Sequence, residues 1–170
     1  MDSFSSLGLD EPIAKALSSL GFAAPTAVQA EAIPALLAGH DILMESETGT
    51  GKTFAYLAPA LQLLAAKQAK GPPLVLVAAP TQELAVQIGK ESSRLAAASG
   101  IELRSVVLLG GSPLSRQAGL LHGSPGLVIG TLGRLADLVA MGALRLGGLG
   151  ILVLDEADRL LAPETEDAAL

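Results

Sequence analysis

The residues best suited to chemistry lie in one stretch, residues 46–53, which reads SETGTGKT. An apolar run precedes it and an apolar pattern with helical spacing follows it, so we predict a strand, a glycine turn and a helix in that order. Backbone N–H groups of such a turn point inward and the helix dipole favours negative charge, which makes a phosphate cradle. Lys52 is then placed to reach the β- and γ-phosphates of a nucleotide, and the Thr53 hydroxyl to hold Mg²⁺.

One position of this stretch departs from the general pattern, which has glycine where this chain has Ser46. A small residue still leaves room for a phosphate, but an ordinary turn between a strand and a helix is an alternative interpretation. In the cradle interpretation the nucleotide contacts Lys52 and Thr53 together with Ser46, Thr48, Gly49, Thr50 and Gly51.

A second candidate group consists of Asp155, Glu156 and Asp158, directly after the apolar run 151–154. A carboxylate there can hold Mg²⁺ from the side opposite Thr53, and Glu156 can orient or deprotonate an attacking water. The alternative is a set of acidic residues that caps a helix N-terminus, where the dipole favours them. The phosphate cradle upstream favours the catalytic interpretation.

Composition limits the class of protein. The chain has 170 residues, 50% of them hydrophobic and 16% charged, which is typical of one compact domain. The net charge of −6 argues against a broad basic face for nucleic acid, so any such contact has to be local. There are no cysteines, which excludes disulfides and thiolate metal sites. Because we find neither a secretory signal nor a membrane-length apolar run, we expect a soluble, cytoplasmic protein without membrane contacts.

Apolar runs alternate with helix-like patterns along the chain, which predicts α/β architecture. The predicted strands are 41–45, 74–79, 106–109, 127–129 and 151–154. The predicted helices are 12–20, a second one opened by Pro25 and ended by Gly39, 51–67, 81–98, 114–121 and 131–141. We expect a doubly wound, mostly parallel sheet with helices on both faces. The polar motifs follow the carboxyl ends of strands, where such sheets bind ligands.

Together these motifs resemble the amino-terminal RecA-like domain of the DEAD-box ATP-dependent RNA helicases. Residues 155–158 spell the family's name, and 46–53 is similar to its phosphate-binding motif. Residues 21–29 look like its adenine-reading Q motif, and Phe4 like the aromatic residue that accompanies it. Further similarities are to motif Ia at 80–85, the glycine pair at 110–111 and the threonine–arginine motif at 131–134. The resemblance implies a RecA-like P-loop NTPase domain over residues 1–170, with its Q-motif segment at 4–29.

The resemblance gives an adenine-reading role to Gln29, whose planar amide can pair with adenine N6 and N7 together. That pairing would select ATP over GTP. Phe4 is expected to pack on the adenine ring, and Phe22 is counted with the nucleotide-binding residues. The alternative makes both aromatics core residues and Gln29 a solvated helix residue.

The resemblance also implies contacts to the sugar–phosphate backbone of RNA. Hydroxyls, amides and a helix N-terminus suit sequence-independent binding, because phosphates carry no base information. The residues concerned are Pro80, Thr81, Gly110, Gly111, Thr131, Gly133 and Arg134. The alternative is that Thr131 is only an N-cap and Arg134 an exposed helix residue. Gln82 stands where the family usually has arginine, and Leu132 where it usually has proline. Loss of the guanidinium would weaken RNA binding.

We therefore expect an ATP-dependent RNA helicase that uses ATP and Mg²⁺ and is monomeric. Nothing in the chain corresponds to the family's second RecA-like domain, to which Asp158 would couple nucleotide binding. That domain supplies the arginine fingers, whose absence can cost ~10³–10⁵ in rate. The 170-residue chain alone should thus bind nucleotide weakly and show negligible ATPase activity. A non-catalytic P-loop scaffold that binds RNA or protein stays open as an alternative. A DNA helicase would not explain the presence of Gln29 and Phe4 at their spacing.

Overall fold

The computed structural model describes residues 3–45, 49–67 and 74–162. A short 3-10 helix, Phe4–Leu7, precedes the regular elements. In chain order these are α1 (Glu11–Ser19), α2 (Ala27–Leu37), α3 (Lys52–Ala66), β1 (Val75–Ala79), α4 (Gln82–Ser99), β2 (Ser105–Leu108), α5 (Leu114–Leu121), β3 (Leu127–Thr131), α6 (Leu132–Ala140), β4 (Ile151–Leu154) and α7 (Ala157–Leu160). In these ranges no helix is both long enough and apolar enough to cross a bilayer.

The four described strands form one parallel sheet in the order β2-β3-β1-β4. β1 lies inside it and is buried along its whole length, as its unbroken apolar run predicts. Its residues alternate between two hydrophobic clusters, so the sheet is covered on both faces at β1. Val75 and Val77 join the larger cluster with α1, α2, α3 and α4, whereas Leu76 and Ala78 join the smaller one with α5 and α6. The prediction of a doubly wound parallel sheet is confirmed.

The predicted first strand, 41–45, is wrong: these residues have no regular secondary structure. Their side chains do alternate as in a strand, with Ile42 and Met44 half-buried and Leu43 81% exposed. However, none of them pairs with the sheet, whose order ends at β4. A strand is defined by hydrogen bonds to a neighbour, which an apolar pattern cannot supply.

The predicted starts of α2, α4 and α6 are also wrong, because a threonine is the N-cap of each of these helices. Pro25 lies outside α2, which begins at Ala27 after the N-cap Thr26. Thr26 and Gln29 form a capping box, and the N-cap has an extended backbone that excludes Pro25 from the first turn. Likewise Thr81 lies before α4, where its Oγ1 accepts a hydrogen bond from the Leu84 N–H at 3.1 Å.

Candidate functional site

The turn before α3 has the backbone that a phosphate cradle requires. Gly49 and Gly51 have φ values of +83° and +91°, in the left-handed region that favours glycine. Gly51 is the N-cap of α3, so Lys52 and Thr53 are its first two residues. In general the first N–H groups of an α-helix have no intrahelical acceptor, which is why a helix N-terminus can bind an anion. Of the predicted cradle residues, Ser46 and Thr48 lie outside the described part of the chain.

Gln29 connects α2 to this turn. Its side chain is 0% exposed, so the alternative of a solvated helix residue is wrong. The amide Nε2 donates to the Gly51 carbonyl at 3.1 Å, while Oε1 accepts from the Thr26 N–H at 3.0 Å. One N–H and one lone pair of the amide remain for a ligand. Its pairing with adenine stays a prediction.

The predicted adenine-stacking aromatics lie in two different environments. Phe4 is 3% exposed and belongs to the larger hydrophobic cluster, which agrees with the alternative of a core residue. Phe22 is half-buried, with its ring centroid 4.8 Å from that of Phe54. The structure thus places Phe22 against α3, the helix that follows the cradle turn. Contact of either ring with adenine stays a prediction.

Tyr56 brings the acidic group and the cradle helix together. Its hydroxyl donates to Oδ2 of Asp155 at 2.9 Å, across 99 positions of sequence. The Glu156 N–H donates to the other carboxylate oxygen, Oδ1, at 3.0 Å. Tyr56 lies three residues after Thr53 on α3, so Asp155 and Thr53 share one edge of the sheet, as predicted. Sequence analysis missed Tyr56, although its helical spacing from Thr53 was a usable signal.

Glu156 has an unusual backbone conformation at the end of β4. Its φ of +50° is in the left-handed region, which costs a residue with a side chain about 1–2 kcal/mol. It is the N-cap of α7 but makes no side-chain cap hydrogen bond, and its Oε2 pairs with Arg159 Nη1 instead. The Glu156 side chain therefore does not cap α7, although Glu156 and Asp158 lie at its N-terminus as the alternative interpretation predicted. Asp158, in the first turn of α7, is exposed.

The environment of Tyr56 predicts a weakness at high pH. Burial raises the pKa of Tyr56 well above its usual value, and the charge and hydrogen bond of Asp155 raise it further, against a smaller opposing hydrogen bond from Thr53. The unfolded chain then loses this proton first, so stability is kept below about pH 10 and lost as the pH rises further. Tyr56→Phe should remove this contribution. Urea unfolding in EDTA between pH 8 and 11 should show a steeper loss in wild type than in the variant; parallel curves would contradict the prediction.

The motifs predicted to contact RNA also meet at the carboxyl edge of the sheet. Thr131 ends β3 opposite Ala79, the last residue of β1, so it lies beside the turn that carries Pro80 and Thr81. Gly110 and Gly111 follow β2, the neighbour of β3 on the other side. The structure thus brings the three segments together as predicted, while their contact with RNA stays a prediction.

The alternative interpretation made Thr131 only an N-cap and Arg134 an exposed helix residue. Neither residue fully agrees with it. Thr131 is the N-cap of α6 but makes no side-chain cap hydrogen bond. Arg134 is half-buried, and in the described part of the chain its Nη1 is buried without a hydrogen-bond partner. Neither is fully explained as a simple cap or an exposed helix residue. Gly133, between them on α6, is exposed.

Gln117 on α5 is a supporting residue that sequence analysis missed. It is buried, and its Nε2 donates to the Leu109 carbonyl at 2.7 Å, directly before Gly110. This hydrogen bond anchors the start of the glycine turn. No local sequence signal marks it, because the contact depends on how α5 folds back on β2.

Comparison with known proteins agrees with this geometry. Residues 26–169 match the family model described as DEAD/DEAH box helicase. The chain is 42% identical to "DEAD-box ATP-dependent RNA helicase 30" of Arabidopsis thaliana, over 95% of this chain and 27% of that protein. It is 46% identical to "ATP-dependent rRNA helicase rrp3" of Aspergillus oryzae (94% and 33%) and 40% identical to "ATP-dependent RNA helicase SrmB" of Escherichia coli (93% and 36%).

A solved structure shows the same architecture. The crystal structure of a DEAD box protein from the hyperthermophile Methanococcus jannaschii superimposes with a TM-score of 0.85 and 31% identity. The match covers 94% of this chain and 42% of that one, which confirms the predicted RecA-like fold class. The chain spans only 27% to 36% of the length of the curated relatives. The family model nevertheless covers most of the chain, which therefore belongs to the DEAD/DEAH box helicase family.

Proposed function

We propose that this chain is the nucleotide-binding part of an ATP-dependent RNA helicase. The observation that carries the proposal is the hydrogen bond from Tyr56 to Asp155, because it holds the acidic group beside the first turn of α3. A phosphate cradle and a carboxylate at one edge are the parts that phosphoryl transfer requires. The similar proteins of three organisms carry names of ATP-dependent RNA or rRNA helicases, which supports the same activity for the complete protein.

The donor atoms at this edge suit Mg²⁺. The ion prefers oxygen ligands and is usually held by one or two carboxylates together with phosphates and waters. Asp155 and Thr53 supply such oxygens, and the described residues contain no cluster of three or more acidic, His or Cys side chains that would suit a caged metal. When bound, Mg²⁺ would neutralise charge on the β- and γ-phosphates.

The chain's own residues bind the phosphates and activate the water. We propose that the turn N–H groups and Lys52 hold the phosphates, while Glu156 orients the attacking water and accepts its proton. Glu156 is half-buried and its carboxylate is held by Arg159, so its position is restrained. These roles use electrostatics and positioning, which dominate phosphoryl transfer.

We propose that RNA lies along the carboxyl edge formed by the segments after β1, β2 and β3. Threonine hydroxyls and backbone amides there suit contacts to phosphates of any sequence. Gln82 lies in this edge, since a Cβ added to Gly110 would stand 3.1 Å from its Nε2. Its neutral amide gives a weaker phosphate contact than the arginine usual in the family.

We further propose that the complete protein carries a second RecA-like domain. The relatives are about three times longer than the matched region, which leaves room for it. Asp158 is exposed beside the proposed site and is available for a coupling contact to that domain. Closure of the two domains would supply the missing transition-state contacts, so the present chain should turn over ATP negligibly.

Calorimetric titration with ATP, ADP and GTP tests the proposal. Wild type should bind both adenine nucleotides more tightly than GTP, and Gln29→Ala should lose about 5–150-fold of that preference, since a good bidentate pair is worth ~1–3 kcal/mol. Gln87→Ala, which removes an exposed glutamine of α4, is the matched control. Equal affinity of wild type for ATP and GTP would contradict adenine reading. Absence of any nucleotide binding would favour the scaffold alternative.

A further inference from the structure

The hydroxyl of Tyr56 lies between the two residues proposed to hold Mg²⁺. It donates to Asp155 Oδ2, and Thr53 lies three residues before Tyr56 on the same face of α3. We propose that Tyr56 is a positioning residue that fixes the Asp155 carboxylate for the Mg²⁺–nucleotide complex. The inference rests on the proposed nucleotide site and adds to it a residue that contacts neither nucleotide nor metal.

The geometry of Tyr56 suits this role. The side chain is only 2% exposed and is packed in the larger hydrophobic cluster, so the ring cannot change rotamer without disturbing the core. Its hydroxyl is therefore held in place beside Asp155. Because Asp155 follows β4 and Tyr56 belongs to α3, their hydrogen bond ties the acidic group to the helix that carries the cradle.

The Asp155 carboxylate is restrained at both oxygens. Tyr56 donates to Oδ2 at 2.9 Å and the Glu156 N–H donates to Oδ1 at 3.0 Å. A carboxylate offers about four lone-pair positions, so these two hydrogen bonds leave it able to bind a metal or its waters. With both bonds in place the carboxylate has one orientation. Without the hydroxyl, the carboxylate loses its hydrogen bond to α3 and keeps the local bond from the Glu156 N–H, so its rotation is less restrained.

Loss of this restraint should lower the affinity for Mg²⁺ and leave metal-free nucleotide binding by the cradle unchanged. Changes to outer-shell partners of metal ligands typically cost 10–100-fold in metal affinity. Nucleotide binding without metal uses the turn N–H groups and Lys52, and not the Asp155 carboxylate to which Tyr56 donates. A purely structural role of Tyr56 would instead weaken binding equally with and without Mg²⁺.

The test compares ADP binding by wild type and Tyr56→Phe at increasing Mg²⁺ and in EDTA. The variant should need about tenfold more Mg²⁺ for half of the metal-dependent gain in ADP affinity. Ser92→Ala is the matched control, because it also removes a buried hydroxyl, one bonded to the Gly89 carbonyl on α4. An unchanged Mg²⁺ dependence would overturn this inference alone. Failure of wild type to bind ADP at all would overturn the proposed function and this inference with it.

A spectroscopic measurement covers the case in which Tyr56→Phe does not fold. The chain contains one tyrosine and no tryptophan, so its ultraviolet difference spectrum near 280–295 nm reports Tyr56. Adding Mg²⁺ and ADP to wild type should shift this spectrum, whereas ADP in EDTA should not. Asp155→Asn should abolish the shift. Identical spectra of ADP-bound wild type with and without Mg²⁺ would show that the metal does not change the environment of Tyr56. That result would overturn the inference.

Discussion

Replacement of Gly51 by alanine is expected to destabilise the protein by about 2–5 kcal/mol. The left-handed backbone of Gly51 costs a residue with a Cβ about 1–2 kcal/mol. That Cβ would also lie 2.5 Å from Gln29 Nε2, so the buried amide has to move. Its two hydrogen bonds, to the Gly51 carbonyl and the Thr26 N–H, are then lost at about 0.5–1.5 kcal/mol each.

Gly49→Ala is the matched control for this prediction. Gly49 has a similar φ of +83° but nothing within 4 Å of an added Cβ, so only the backbone cost of about 1–2 kcal/mol applies. Urea unfolding of both variants and of wild type measures the difference. Equal destabilisation of the two variants would show that the contact between Gln29 and the cradle contributes nothing to stability.

The second large effect is expected on nucleotide affinity. Lys52→Ala should weaken ATP binding by roughly 10–100-fold, because a charge-assisted hydrogen bond contributes about 1.5–3 kcal/mol and each 1.4 kcal/mol is a factor of ten. Lys52 is the first residue of α3, directly after the left-handed Gly51, so its position depends on the turn. Lys52→Ala should therefore weaken binding of the phosphates and leave the preference for adenine over guanine unchanged.

Calorimetry with ATP and with adenosine separates these contributions. Lys90→Ala is the control, since it removes the same charge from an exposed position on α4. Lys52→Ala should lose ATP affinity and keep whatever adenosine affinity wild type has, and Lys90→Ala should match wild type for both ligands. A Lys52→Ala variant with wild-type ATP affinity would contradict the cradle interpretation.

Local patterns predicted many elements well. α5 was predicted at its observed bounds, and β1 and β4 within one residue, because apolar runs and helical spacing reflect which side chains are buried. The turn before α3 could also be predicted, because its glycines readily adopt the left-handed backbone that such a turn requires. In contrast, whether residues 41–45 form a strand depends on pairing with a neighbouring strand. Pairing is a property of the whole sheet, so the local pattern could not predict it.

The sequence by itself determined the α/β class, the cradle turn and the identity of the acidic group, because each is encoded by residues close together in the chain. Only the tertiary structure decided that Tyr56 holds Asp155 and that Gln29 holds the Gly51 carbonyl. These contacts join residues 99 and 22 positions apart, and their existence depends on how helices pack on the sheet. Packing is set by the combined volume and direction of many side chains, which no local spacing records.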